Sequence, residues 1–131
     1  MPAVTPNTSR HDTLPPLASR YVEVDDLPWV STKYPGVEIK VLMEDEERGL
    51  MTALFRWAPG AELPLHEHVE IEQTFVLSGS LEDHEGKVRA GNYVWRPSGS
   101  QHVASAPEGA LVLSFFLRPN NFLLDSETKS G

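Results

Sequence analysis

The sequence predicts an all-β, single-domain barrel. Three observations carry that expectation. Short runs of strand type recur roughly every 8–12 residues, Gly and Pro punctuate them, and no stretch keeps a helical period. The chain has 131 residues, of which 40% are apolar, enough for one core and too few for two domains.

Residues 1–20 hold four prolines and little periodicity, and read as an N-terminal arm that must rest on the barrel wall or on a second subunit. The barrel proper is expected over 21–118, followed by a C-terminal tail, 119–131. Tyr21 to Val24 and Val37 to Val41 alternate polar and apolar residues, as half-buried strands do. The acidic stretch Glu44 to Gly49 is a solvated hairpin tip, leading into Leu50 to Trp57. Ala58-Pro59-Gly60 breaks that strand. Further strands are expected at Glu72 to Leu77, Leu81 to Asp83, Lys87 to Arg89, Asn92 to Arg96, Gln101 to Ser105 and Ala110 to Leu117, with turns at Ser78 to Ser80 and at Glu85-Gly86.

Composition excludes several functions. The net charge is −8, with no basic run, which disfavours nucleic acid and anionic membranes as partners. There is no cysteine, so disulfides, thiolate metal sites and thiol nucleophiles are out. No apolar run could span a bilayer, and Met1 to Arg20 lacks the pattern of a signal peptide. Asn7-Thr8-Ser9 is then an accidental glycosylation match. The expectation is a cytoplasmic protein.

Chemistry concentrates in two motifs. The first is Gly60-x5-His66-x-His68-x3-Glu72-x6-Gly79; the second is Gly91-x5-Pro97-x-Gly99-x2-His102. His66 and His68, two apart, would share one face of a strand. Converging neutral imidazoles are what a divalent metal needs. Glu72 follows four residues later, and only a closed fold brings His102 near. Glu70 has the same parity as Glu72 and competes for the carboxylate position unless the chain bends after His68. His84, in a polar stretch, and His11, in the arm, read as ordinary surface residues.

These motifs resemble the paired motifs of the cupin superfamily, separated here by the short segment 80–90. The resemblance covers about residues 35–118 and implies an RmlC-like jelly-roll β-barrel of roughly six to eight strands with one metal inside. Carried over, it makes His66, His68, Glu72 and His102 the ligand positions. Where the second motif usually continues to Asn, this chain has Ala106, so a supporting hydrogen bond is expected to be missing there. Pro35 to Val41, Thr52 to Leu54, Ala58 to Gly60 and Gly91 to Val94 are similar to the ChrR-like cupins. That group includes the zinc-binding domain of an anti-sigma factor. It lies close to dioxygenases that cleave acetylacetone or dihydroxyacetophenone, where three histidines hold iron(II) and the carboxylate is often not a ligand.

The resemblance implies a dioxygenase-type oxidoreductase acting on a small β-diketone or hydroxyketone. Its cofactor would be one divalent ion: iron(II) or zinc first, manganese or nickel next. The alternative is a non-catalytic zinc-binding sensor or binding module. Residues 1–20 are too short for a sigma-binding domain, which argues against an anti-sigma role. A metal-free epimerase-like cupin conflicts with the intact ligand set. Parity with Glu72, His102 and the apolar face of Leu50 to Trp57 puts Met51, Phe55, Thr74, Val76 and Ala104 on the pocket wall. Arg96, Arg56, Tyr93 and Gln73 are further candidate polar contacts. Phe75 and Leu77 face outward and want cover, which, with the arm, points to a homodimer or larger oligomer.

Overall fold

A computed structural model describes residues 3–118 and the backbone of 121–122; the rest of the expected tail lies outside the described residues. The described residues form ten strands: β1 (Val30–Ser31), β2 (Val37–Asp45), β3 (Leu50–Trp57), β4 (Ala61–Glu67), β5 (Glu72–Glu82), β6 (Lys87–Arg89), β7 (Tyr93–Arg96), β8 (Gln101–Ala106), β9 (Ala110–Phe116) and β10 (Asn121–Phe122). The two-residue strands β1 and β10 take the total past the range that the resemblance implies. The one described helix is a 3-10 turn, Val24–Asp26, so no described helix is long and apolar enough to cross a membrane.

The strands run in the order β1-β2-β3-β9-β5-β8-β4-β10, with β6 and β7 also paired to β5. All pairings are antiparallel. The sheet curls so that one face of every long strand points inward, the single-domain jelly roll of the cupin fold. Val37, Trp57, Ala61, Val76, Ala104, Ala106, Ala110 and Val112 belong to the buried apolar cluster inside.

Strand β5 organises the fold. Its first half pairs with β7 and β9; its second half pairs with β6 and, at Glu82↔Ser105, with β8. The expected turn at Ser78 to Ser80 is therefore not a turn. The strand continues through a register shift between Val76 and Ser78, and Leu81 to Glu82 belong to it. A bulge leaves the chain extended while re-aiming it, which turn residues alone do not reveal. Gly79 allows this close crossing: its φ is 72°, and a Cβ there would lie 2.0 Å from the Gly109 carbonyl oxygen.

Two other expectations are corrected. Tyr21 to Val24 forms no strand; the chain runs irregularly into the 3-10 turn, where Asp26 and Leu27 N–H groups bond back to Glu23 and Val24. Alternation over four residues is too short to fix a strand without a partner edge. The arm rests on its own barrel: Val4 bridges Glu44, and the Thr5 hydroxyl donates to the Leu42 carbonyl at 2.7 Å. The outer face of β5, β7 and β9 stays exposed at Phe75, Leu77, Tyr93, Trp95 and Phe115.

Candidate metal centre

Three imidazoles meet where β4, β8 and the segment after β4 come together. His66 and His102 are register partners across β4 and β8, with ring centroids 4.4 Å apart. The β4 ladder is interrupted between Leu63 and His66, at Pro64, which has no N–H to give. The Pro64 carbonyl then accepts a hydrogen bond from His66 Nδ1 at 2.8 Å.

His68 lies one residue beyond the end of β4, so the two motif histidines do not share a regular strand face. The loop after β7 fixes it instead. The His68 N–H donates to the Ser100 carbonyl at 2.9 Å, and the Gly99 N–H donates to the His68 carbonyl at 2.6 Å. Gly99 has φ of 88°, the left-handed conformation that lets the Pro97 to Ser100 turn close over His68. His68 Nδ1 sits 3.2 Å from Ser100 Oγ. The His68 ring lies 5.0 Å from that of His66 and 4.8 Å from that of His102.

The third ring is held by a residue that the motifs do not contain. Asp83 Oδ2 accepts from His102 Nδ1 at 2.7 Å and from Arg96 Nη1 at 2.7 Å. Its other oxygen accepts the Glu85 and Gly86 N–H groups at 2.8 and 3.1 Å. One carboxylate thus caps the β5–β6 turn and reaches into the site. It supplies a supporting hydrogen bond from the β5–β6 turn, whereas Ala106 is buried along β8 opposite Ala61. The sequence hides Asp83 because Glu82 to Glu85 looks like any polar hairpin tip, and parity cannot be carried across the β5 bulge.

All three rings are buried, and each places a ligand atom within 4.8 Å of the others. The three histidines could therefore hold one metal ion. His68 Nε2 is buried without a hydrogen-bond partner. An orphaned lone pair at such depth is costly, and a divalent cation is the partner it fits. Electrostatics agree. Burial pushes His66 down from 6.5 to about 4; the Pro64 carbonyl opposes this, while His102 and Arg96 add to it. Burial lowers His68 to about 3, helped by His66, His102 and Arg96. Burial and Arg96 lower His102 against the pull of Asp83. Neutral imidazoles at physiological pH are the form that binds metal.

Glu72 stands beside the triad. Its Oε1 lies 3.8 Å from His68 Nε2 and 3.9 Å from Arg96 Nε, and Glu72 and Arg96 are register partners across β5 and β7. Glu70 lies in the bend before β5, so the chain does turn after His68. Asp83 is held down at about 2: burial raises it, but the hydrogen bond from His102, the Glu85 and Gly86 N–H groups and Arg96 together outweigh that.

His66 and His102 of the triad, with Glu72, line a cavity of about 300 Å³ inside the barrel. Met51, Phe55, Thr74 and Ala104 line it; Val76 is not among the lining residues and is fully buried in the apolar cluster, although Leu81, further along β5, does line the cavity. Arg96 lines the cavity as well. Arg56 lies outside, paired with Glu38 and stacked on Trp29, and Tyr93 donates to Gln73 on the exposed face. Thr74 and Ser114 satisfy each other at 2.8 Å in the wall. His84 and His11 are not part of the triad.

The fold is shared with solved structures. An acetylacetone dioxygenase from Acinetobacter johnsonii is 23% identical, with TM-score 0.73 over 86% of this chain and 83% of that one. A protein of unknown function with a cupin-like fold from Ralstonia eutropha JMP134 is 29% identical, with TM-score 0.72 over 78% and 69%. The Rhodobacter sphaeroides complex of SigE with the anti-sigma ChrR matches at 24% identity and TM-score 0.61, over 71% of this chain and 50% of that one. No curated protein matches the sequence. The ChrR Cupin-like domain family matches residues 17–120, most of the chain and both motifs. The chain belongs to the ChrR-like cupin family.

Proposed function

We propose that this cupin is a metal-dependent, dioxygenase-type oxidoreductase acting on a small β-diketone or hydroxyketone. His66, His68 and His102 would be the metal ligands through Nε2, since each Nδ1 is engaged elsewhere. The observation that carries the reading is the union of a buried three-histidine cluster with an apolar cavity of about 300 Å³. A purely structural ion needs no chamber beside it. When bound, iron(II) would supply open coordination positions for a chelating substrate and for dioxygen chemistry.

The chain's own residues do the rest. Phe55, Leu63 and Phe116 exclude water and shape the space for an apolar substrate. Glu72, in the cavity wall beside His68, is placed to take the acidic proton of an enolisable ketone. Asp83 fixes the His102 tautomer.

The observation favouring a second reading, a non-catalytic zinc-binding module, is the same Glu72, near enough to His68 for a small rotation to complete a four-ligand set. Glu72→Gln separates the two. An oxygenase keeps its iron and loses rate; a closed zinc site loses metal affinity and thermal stability together. Oxygen uptake by the iron(II)-loaded protein with pentane-2,4-dione is the direct assay. No uptake with any small diketone, combined with zinc loss on Glu72→Gln, would sink the enzyme.

The exposed face carrying Phe75, Tyr93, Trp95 and Phe115 supports a homodimer through this sheet, in a cytoplasmic protein. A monomer by light scattering at micromolar concentration would refute the dimer.

A further inference from the structure

We propose that the outer face of β2 and β3 carries a second binding site, outside the barrel, for a small organic carboxylate, with Lys40 and Arg56 as the residues that recognise it. The site contains no residue of the triad and does not depend on the function proposed above.

The starting observation is a buried cation. Ile39 lines the barrel cavity, so its neighbour Lys40 projects from the outer face of β2. Yet Lys40 is only 5% exposed. The segment before β1 covers it through Val24 and Trp29, and the buried Leu27 anchors that segment. An ammonium has three N–H donors. The structure gives Lys40 Nζ one acceptor, the Val24 carbonyl at 2.9 Å, and that oxygen also takes the Leu27 N–H. The centre of the Trp29 ring lies 4.8 Å away. Among the described residues no carboxylate pairs with Lys40. A cation taken out of water without an anion is costly, and one shared carbonyl and an aromatic face offset only part of that.

A second cation stands beside it. The Arg56 guanidinium lies 4.3 Å from the centre of the same Trp29 ring. Register sets Lys40 opposite Leu54 and Arg56 opposite Glu38, so the two cations are diagonal neighbours on one sheet face. Arg56 donates Nε and Nη2 to Glu38 Oε1 at 2.9 and 2.7 Å, which uses one edge of its fork and not Nη1. Two cations thus share a single carboxylate.

Both line a cleft of about 600 Å³, together with Trp29, Leu54, Pro59 and Leu111. The cations suit one carboxylate head, and the apolar residues suit a short hydrocarbon body. Asp25 and Glu108 also border the cleft, but both are exposed and neither pairs with Lys40 or Arg56. Glu108 accepts instead from the Ser80 hydroxyl at 3.4 Å. Their charge disfavours a polyanion while leaving the cations to a single negative group.

Titration calorimetry at fixed ionic strength tests this with benzoate against benzamide, on metal-free protein so that no ion can take the carboxylate. Benzoate should bind once per chain, at least ~10-fold more tightly than benzamide, the value of one charge-assisted contact. Lys40→Met keeps an apolar stem in the covered position and should abolish the preference. Uptake of one zinc per chain by that variant checks its fold. If it does not fold, Arg56→Gln serves: it should weaken the preference, and an unchanged preference would overturn the proposal. Arg96→Gln, inside the barrel, should leave the preference intact. No saturable benzoate binding, equal binding of the two probes, a preference retained by Lys40→Met, or one lost in Arg96→Gln would each overturn it.

Discussion

Strands β4 and β8 run side by side through both ends of the barrel, and the two ends differ in chemistry. At one end Ala61 faces Ala106, both buried among Val37, Trp57 and Ala110. At the other His66 faces His102 beside His68, Glu72 and Arg96. The small residues let the sheets close the interior with apolar contacts. The histidine end carries a bulge at Pro64, a capped turn at Asp83 and a glycine loop that grips His68. Irregular backbone is not confined to that end, since β2 shifts register between Val41 and Met43 and β5 between Val76 and Ser78, but at the histidine end it aims side chains at one point. Substitutions at the two ends should separate metal affinity from stability.

The largest separation is expected at the histidine end. His102→Ala should lower metal affinity by more than ~100-fold, beyond the loss of any supporting residue, and stop turnover. Metal content after dialysis checks this; retention of one tightly held ion would mean that the triad is not the site. Asp83→Asn should cost ~10–100-fold in metal affinity, since His102 loses the charged acceptor that sets its tautomer. Unchanged affinity would reduce Asp83 to a turn cap. Away from the histidines, in the apolar wall of the cavity, Val112→Ala should lower unfolding free energy by about 2 kcal/mol, because its side chain is fully buried. It should leave metal affinity untouched. A matching loss of metal would show that this wall and the triad are coupled.

This division also explains what could be read in advance. The alternation of Glu72 to Val76 marks an inner face that is buried; on Val37 to Val41 only Val37 is buried, Ile39 and Val41 are half-buried, and Lys40 of the other face is buried. The motif spacing names His66, His68 and His102, which do cluster. What stayed hidden lies at irregular positions. Asp83 sits past a bulge that resets parity, His68 is held by a loop and not by a strand, and Arg96 could not be phased without its partner strand. Periodicity speaks only for ladders that stay in register.

The smallest predicted effect is on pH, and it sharpens the contrast because the imidazoles that burial shifts lie at the histidine end. In the metal-free protein His66 sits at about 4 and His68 at about 3, against 6.5 in the unfolded chain. Between those limits the unfolded chain binds more protons than the folded one, so stability falls as pH falls. The contribution of the triad is full above 6.5 and is lost as pH drops toward the folded values. From pH 7 to 6 the loss is less than about 1 kcal/mol per histidine, growing on further acidification. Asp83 acts in a lower window: its contribution is full above 3.8 and disappears as pH falls toward about 2. Denaturant melts of metal-free protein at pH 7, 6 and 5 should therefore show a steady decline. His66→Asn should make that decline shallower by one proton, whereas Val112→Ala should shift the whole curve without changing its slope. A flat profile, or a slope that His66→Asn leaves unaltered, would mean that the imidazoles are more hydrated than their burial implies.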